Sequence, residues 1–322
     1  MLRIAHLTDD TRLGGVGVHI ETFLSGRLSD CTQSELVVVT PKGSAPKLDA
    51  DVAIVHFTVN WAKLPFLMSL RLQNPKVRLI LEEHSYTKGF EDHCVSSSWR
   101  FRTMLRTNYR VFDDIVVVSH AQERWLTAAK IAPGKVIAIP MSRSTEDFSA
   151  VPGVQPGGPI RLGAIGRFAF QKGFEDLIEA AKRLDPKRFS LVIGGYGEDE
   201  QKLRTLAMNA PHITFLGQVD EPEAFMEAID VLVMPSRYEA FGLTGLEARA
   251  AGRPLIGYTI DGLEDQLSQG GIRVVPGSVE GLAKAMASLT PEKIRTLGAE
   301  ARSSAQGDYD RHIEAWKRFL GL

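Results

Sequence analysis

Short β-branched runs alternate with longer stretches of helical period along the whole chain. Strands are predicted at Arg3–Leu7, Ser34–Thr40, Val52–Phe57, Val77–Glu82, Ile115–Ser119 and Lys135–Ile139. Several are apolar at consecutive positions, as in Leu36-Val37-Val38-Val39 and Ile115-Val116-Val117-Val118. Uninterrupted apolar runs fit parallel strands buried on both faces, with helices between them. A second series runs through Arg161–Ile165, Ser190–Gly194, Ile213–Leu216, Val231–Met234, Pro254–Tyr258 and Ile272–Val275. Helices are predicted between these strands at Phe174–Leu184, Glu198–Asn209, Glu221–Ala228 and Gly245–Ala251. Such βα alternation implies an α/β fold with doubly wound parallel sheets, and here there are two of them.

Between the two series lies Val151-Pro-Gly-Val-Gln-Pro-Gly-Gly-Pro159, a composition that continues neither a helix nor a central strand. The expected organisation is therefore a first domain over 1–150, a linker over 151–159 and a second domain over 160–305. A terminal helix over 306–322 follows, with Tyr309, Ile313, Trp316, Phe319 and Leu320 as an apolar stripe that must be buried. Two domains joined this way are expected to leave a cleft, a common place for ligands.

Charge and composition narrow the function class. The net charge is −1, with 18 basic against 16 acidic residues over 1–150 and 20 against 23 beyond, so neither half has the basic excess of a nucleic-acid binder. Cys31 and Cys94 cannot build a disulfide framework or a Cys-rich zinc site, and point to a reducing, cytoplasmic setting. No apolar run approaches the roughly 20 residues that span a bilayer, and Met-Leu-Arg-Ile-Ala-His does not read as a signal peptide. HExxH, GxSxG and CxxC are all absent, which argues against metalloprotease, serine-hydrolase and dithiol redox chemistry.

The densest chemistry is in Val231-Leu-Val-Met-Pro-Ser-Arg-Tyr-Glu-Ala-Phe-Gly-Leu-Thr-Gly-Leu-Glu247, read as buried strand, loop and helix. The helix start is an anion site, Gly242 lets backbone approach a ligand, and Glu239 is a good acceptor for sugar hydroxyls. Glu247, further into the helix, would face a second diol. The plainer account is a capping acid and a solvated helical glutamate. In Gly163-Ala-Ile-Gly-Arg167-Phe-Ala-Phe-Gln-Lys172-Gly173, Arg167 and Lys172 after a strand could neutralise a diphosphate, or simply flank a turn. Gly14-Gly15-Val-Gly17 follows the first strand without completing a dinucleotide fingerprint, since position 20 is Ile. Alone it is more often a tight turn.

Of eight histidines, His84 follows an apolar strand in Glu82-Glu-His-Ser-Tyr, at the end where open α/β sheets place ligands. His6, His19 and His56 read first as structural. Trp99–Phe112 carries Arg102, Arg106 and Arg110 at helical spacing, a face that fits weak peripheral contact with anionic lipid or an ordinary amphipathic helix on the sheet.

Taken together these residues resemble a retaining GT-B glycosyltransferase of the family 4 group, over nearly the whole chain. The resemblance rests on Glu239-(x7)-Glu247 within Pro-Ser-x-x-Glu-Ala-Phe-Gly-Leu, on Gly166-Arg-x4-Lys172-Gly, and more weakly on Gly14-Gly15-Val-Gly17, Val117-Val-Ser119 and Gly271-Ile-Arg-Val-Val-Pro-Gly. It implies two Rossmann-like domains facing a cleft, with a nucleoside-diphosphate sugar, UDP- or GDP-linked, as donor. The acceptor would be a glycan, a lipid-linked molecule or a small molecule. By resemblance Glu239 contacts the transferred sugar, with His84 near it, and Glu247 contacts the ribose. Arg167 and Lys172 hold the diphosphate, Phe241, Gly242 and Leu243 offer backbone groups, and Gly14 and Gly15 complete the donor site. The resemblance implies no cofactor and no metal, and a cytoplasmic enzyme, peripheral at the inner membrane face if the arginine helix binds lipid. A nucleotide-sugar epimerase, a glycosyl phosphorylase and a non-catalytic sugar-binding relative are the alternatives. The chain departs from the family at Pro140-Met-Ser-Arg-Ser-Thr-Glu-Asp-Phe148 and at Asp261-Gly-Leu-Glu-Asp265, both in loops expected to face the cleft.

Overall fold

A computed structural model of the chain describes residues 1–10, 14–268 and 270–322. They divide into two compact units, Met1–Arg143 with Tyr309–Leu322, and Ser144–Asp308. The first unit holds strands β1 (Leu2–Thr8), β2 (Thr32–Val38), β3 (Val52–Val55), β4 (Arg78–Glu83), β5 (Asp114–Val117) and β6 (Val136–Ala138). They form one parallel sheet in the order β2-β1-β3-β4-β5-β6. The second holds β7 (Ile160–Ile165), β8 (Phe189–Gly194), β9 (Ile213–Gly217), β10 (Val231–Met234), β11 (Leu255–Tyr258) and β12 (Gly271–Val274). Its parallel order is β12-β11-β10-β7-β8-β9. Strand order reverses between β1 and β3 in one unit and between β7 and β10 in the other. At such a point the two neighbouring loops leave in opposite directions and open a crevice at the carboxyl ends.

Every residue of β3, β10 and β11 is buried, as consecutive apolar positions require when helices cover both faces. The run Leu36–Val39 departs from that expectation. Its first three residues belong to β2 at the sheet edge, where Leu36 and Val38 share an exposed face.

Residues 144–150 belong to the second unit, which moves the boundary upstream of the Pro/Gly segment. The short helix Glu146–Ala150 buries Phe148. Arg302 donates to the carbonyls of Ser149, Val151 and Ala251 (3.2, 2.7 and 2.8 Å), and Arg253 to that of Pro152 (2.7 Å). These guanidinium groups fasten the segment, whatever its glycine content. The helix Asp308–Leu320 packs from Tyr309 onward into the first unit, where Ile313 and Trp316 are fully buried beside Phe23.

The arginine-bearing helix spans Ser98–Tyr109 and buries Phe101, Met104, Leu105 and Tyr109. Two of its arginines point to protein partners. Arg102 makes a two-pronged ion pair with the buried Glu91 (2.7 and 3.0 Å), and Arg106 donates to the carbonyls of Ala129 and Lys130 (2.6 and 3.2 Å). Among the described residues no helix is long and apolar enough to cross a membrane.

Candidate active site

In the second unit the loops after β7 and β10 meet at the reversal of strand order. After β7 the chain passes Gly166 and Arg167, makes a 3-10 turn at Phe170–Lys172 and enters the helix Phe174–Ala181 through Gly173. Gly173 is left-handed (φ 63°), and a Cβ there would lie 2.1 Å from the Pro235 carbonyl oxygen. Only glycine lets the two loops touch at this point. The loops then lock together, with Arg237 backbone N–H donating to the Gln171 carbonyl (2.8 Å) and the Gln171 side-chain amide donating to that of Tyr238 (3.2 Å).

That packing brings Lys172 to Glu239. The Lys172 ammonium donates to Glu239 Oε2 at 2.5 Å, and the Ser236 hydroxyl donates to the same oxygen at 3.4 Å. The two charged side chains are 20% and 12% exposed, so the pair is sheltered yet reachable. Glu239 N–H donates to Asp261 Oδ2 (3.3 Å), and its carbonyl accepts from Gly262 N–H (2.9 Å). Asp261 itself is left-handed (φ 45°), an uncommon state for a non-glycine residue. The departing loop Asp261–Asp265 is therefore what holds the Glu239 backbone. Arg167 is exposed, and among the described residues its guanidinium has no partner.

Phe241 and Gly242 are buried and Leu243 is partly so, leading into the helix Leu243–Ala250. Gly242 caps it with φ 85°, and a Cβ there would crowd Leu263 and Glu239. The helix start follows directly from the Glu239 loop. Glu247 lies within this helix, largely buried.

Arg237 is a site residue that sequence reading passed over. Its guanidinium donates to the Phe170 carbonyl (2.8 Å), Glu175 (3.0 Å) and Asp176 (3.0 Å), and lies over the Phe170 ring. Asp176 in turn accepts from the Tyr258 hydroxyl (2.9 Å). Nothing in the local sequence pairs Arg237 with Asp176, because the contact depends on β7 and β10 being neighbours.

In the first unit, Gly14 precedes the helix Gly15–Leu24, and both glycines are exposed. Positions 11–13 of that loop lie outside the described residues. His84 follows β4 and is drawn into a buried cluster. Its Nε2 lies 3.2 Å from His56 Nδ1 and 3.7 Å from Glu82 Oε2. His19 contacts both Glu82 oxygens (2.8 and 3.0 Å), and His6 Nδ1 lies 2.9 Å from His56 Nε2. His312 Nδ1–H donates to the Pro140 carbonyl (2.8 Å), and its ring packs edge-on against His19. Burial pushes His6 down to about 3, His84 down to about 4 and His56 well below the ordinary imidazole range. Burial pushes the Glu82 carboxyl up, but His19 and then the other rings outweigh it and hold the group below the usual carboxylate range. Its neighbour Glu83 points to the other sheet face, where burial raises it while Tyr109, Tyr86 and Ser85 donate to it.

Comparison with known proteins places this geometry. Residues 159–291 match the family described as glycosyl transferases group 1. A glycogen synthase of Mycobacterium tuberculosis is 35% identical over 164 residues, 48% of this chain and 40% of that protein. A 2-deoxystreptamine N-acetyl-D-glucosaminyltransferase of Streptomyces fradiae is 31% identical over 202 residues, 56% of this chain and 48% of that protein. The match thus spans less than half the length of these relatives. A sucrose-phosphate synthase structure from Thermosynechococcus elongatus superposes with TM-score 0.82 at 18% identity, covering 100% of this chain and 99% of that one. The HepE structure of Anabaena in complex with UDP and glucose superposes with TM-score 0.79 at 14% identity, covering both chains fully. The chain has the GT-B fold, and its residues 159–291 match the glycosyl transferases group 1 family.

Proposed function

We propose that the protein is a retaining glycosyltransferase that moves a sugar from a UDP- or GDP-sugar to a glycan, lipid-linked or small-molecule acceptor. The observation that carries this reading is the Lys172–Glu239 pair beside an unpartnered Arg167, at the strand-order reversal of a group 1 domain. Sugar transfer makes a diphosphate leaving group, so positive charge aimed at its oxygens lowers the barrier. Arg167 supplies a two-pronged donor, Lys172 a point charge, and the start of the helix Leu243–Ala250 backbone N–H groups. Glu239 accepts hydroxyls of the sugar, and Glu247 those of the ribose. Phe241, Gly242 and Leu243 bring backbone close to the donor, and Gly14, Gly15 and His84 are the first unit's candidates for donor and sugar. The leaving phosphate takes the acceptor's proton as the new bond forms on the same face, and the anomeric configuration is kept. The reading needs no metal at the diphosphate. The UDP in the HepE structure favours a uridine donor.

A panel of nucleoside-diphosphate sugars, scored by thermal shift and then by turnover with acceptor mixtures, tests this. Ligand that binds the native state raises its melting temperature. Transfer from one donor, with product of unchanged anomeric configuration by NMR, is the expected result. Configuration inverted in the product, or donor consumed to an epimer without acceptor, overturns it.

A further inference from the structure

The buried cluster of the first unit shares only His84 with that donor chemistry. It is built by strand parity. Ile54 and His56 share one face of the sheet with Ile80, Glu82 and His84, and His6 lies on the same face of β1 opposite Ile54. Three atoms converge there: His56 Nδ1 to His84 Nε2 is 3.2 Å, His56 Nδ1 to Glu82 Oε2 is 3.3 Å, and His84 Nε2 to Glu82 Oε2 is 3.7 Å. Ligand atoms 2.0–2.2 Å from a tetrahedral zinc ion stand about 3.3–3.6 Å from one another, so this triangle has the edge lengths of such a site. We propose that His56 Nδ1, Glu82 Oε2 and His84 Nε2 form a zinc-type divalent metal site on the first unit, with His19 and His6 as positioning residues.

Three further observations point the same way. Glu82 is buried and, among the described residues, contacts only His19, His56 and His84, with no lysine or arginine. A buried carboxylate enclosed by imidazole rings is shut off from water, and a bound dication offsets that cost. His19 grips both Glu82 oxygens, and His56 engages His6 through the ring nitrogen that faces away from the site. Ring-nitrogen and carboxylate partners of this kind are what orient metal ligands. A set of two imidazoles and one carboxylate selects zinc or a similar transition ion over calcium or magnesium. Three protein ligands leave a fourth position for water. His84 borders the approach to it, being 5% exposed where His56 and Glu82 are 0% and 1%. Histidines distant in sequence gave no ligand spacing to read, and a metal site assembled across strands departs from the expectation of none.

Metal-stripped full chain titrated with Co²⁺ provides the first test. One equivalent should bind and give the intense visible bands of four-coordinate cobalt, displaced by Zn²⁺. His84→Ala should remove the bands, and His19→Gln should weaken binding about 10–100-fold, with folding of each variant confirmed by circular dichroism. Exposed His93 serves as control, and His93→Ala should bind as the wild type does. Wild-type protein that shows only the weak bands of six-coordinate cobalt overturns the proposal without any variant. So does a folded His84→Ala protein with unchanged bands. Because the readout is metal binding, it stands or falls independently of glycosyl transfer.

Discussion

The Lys172 ammonium sits 2.5 Å from Glu239 Oε2, so the cation proposed for the donor diphosphate is already paired before any donor arrives. This changes what removal of either partner should do. In Glu239→Gln protein, Lys172 is released and one negative charge leaves the anion site. Free UDP or GDP should bind at least as tightly as in the wild type, while transfer is lost with the sugar-hydroxyl acceptor. Calorimetric titration beside a turnover assay separates the two effects. Nucleotide binding weakened tenfold by Glu239→Gln would show that the pair has been misread.

Arg167→Ala and Lys172→Ala should differ from each other. A charge-assisted hydrogen bond contributes about 1.5–3 kcal/mol, and Arg167, with no side-chain partner among the described residues, has none of these to break before it engages phosphate. Lys172 must first leave Glu239. Arg167→Ala is therefore expected to cost more nucleotide affinity than Lys172→Ala, with little change in melting temperature, since Arg167 supports no other contact. Equal or reversed losses in titration calorimetry would count against this ordering.

Gly173→Ala should fail structurally rather than chemically. Its φ of 63° costs an alanine about 1–2 kcal/mol, and the added Cβ meets the Pro235 carbonyl oxygen at 2.1 Å. The loops after β7 and β10 must then separate, carrying Lys172 away from Glu239. A lowered melting temperature together with weakened nucleotide binding is expected. Wild-type values for both in this variant would mean that the loops do not depend on that contact.

Arg237→Ala tests the clamp from the other side. It leaves Asp176 without its cation, Glu175 with only the exposed Lys202, and the Tyr238 loop unsupported on Phe170. Because these side chains are partly buried, stability should fall by roughly 1–3 kcal/mol, the cost of leaving charged groups unpaired. Donor affinity should fall with it, although Arg237 is assigned no contact with the donor. Arg237→Lys should restore little, since one ammonium cannot reproduce the guanidinium fork.

His312 gives the fold a defined response to acid. Burial pushes it down to about 3, and its Nε2 has no hydrogen-bond partner to receive a proton's charge. Its folded pKa lies below the unfolded value near 6.5, so the unfolded chain binds more protons between these limits. The stabilisation is full above about pH 6.5 and is lost progressively as pH falls toward about 3. Urea midpoints followed by tryptophan fluorescence, Trp316 lying against His312, should drop faster between pH 7 and 5 in wild type than in His312→Gln. Parallel slopes for the two proteins would refute this account.

Much of the architecture was legible in the one-dimensional pattern. Consecutive apolar residues in Val52–Val55 and Val231–Met234 demand cover on both faces, and that demand is local, so sequence alone determined parallel α/β units and nearly every strand. Glu239, Lys172 and Gly242 were singled out from short motifs beside those strands, and the structure brings Lys172 to Glu239. Strand order was not legible, because many orders satisfy the same burial. It alone makes β7 and β10 neighbours, which joins Lys172 to Glu239 and Arg237 to Asp176. It likewise makes β3 and β4 neighbours, gathering His56, which read as structural, with Glu82 and with His84, which read as a ligand-side histidine. Nor could the Leu36–Val39 run announce its place in an edge strand, since the exposed face of Leu36 and Val38 depends on what packs over the sheet there. Burial preference is a property of each residue and its near neighbours, whereas proximity across a sheet is set by how the whole chain is threaded.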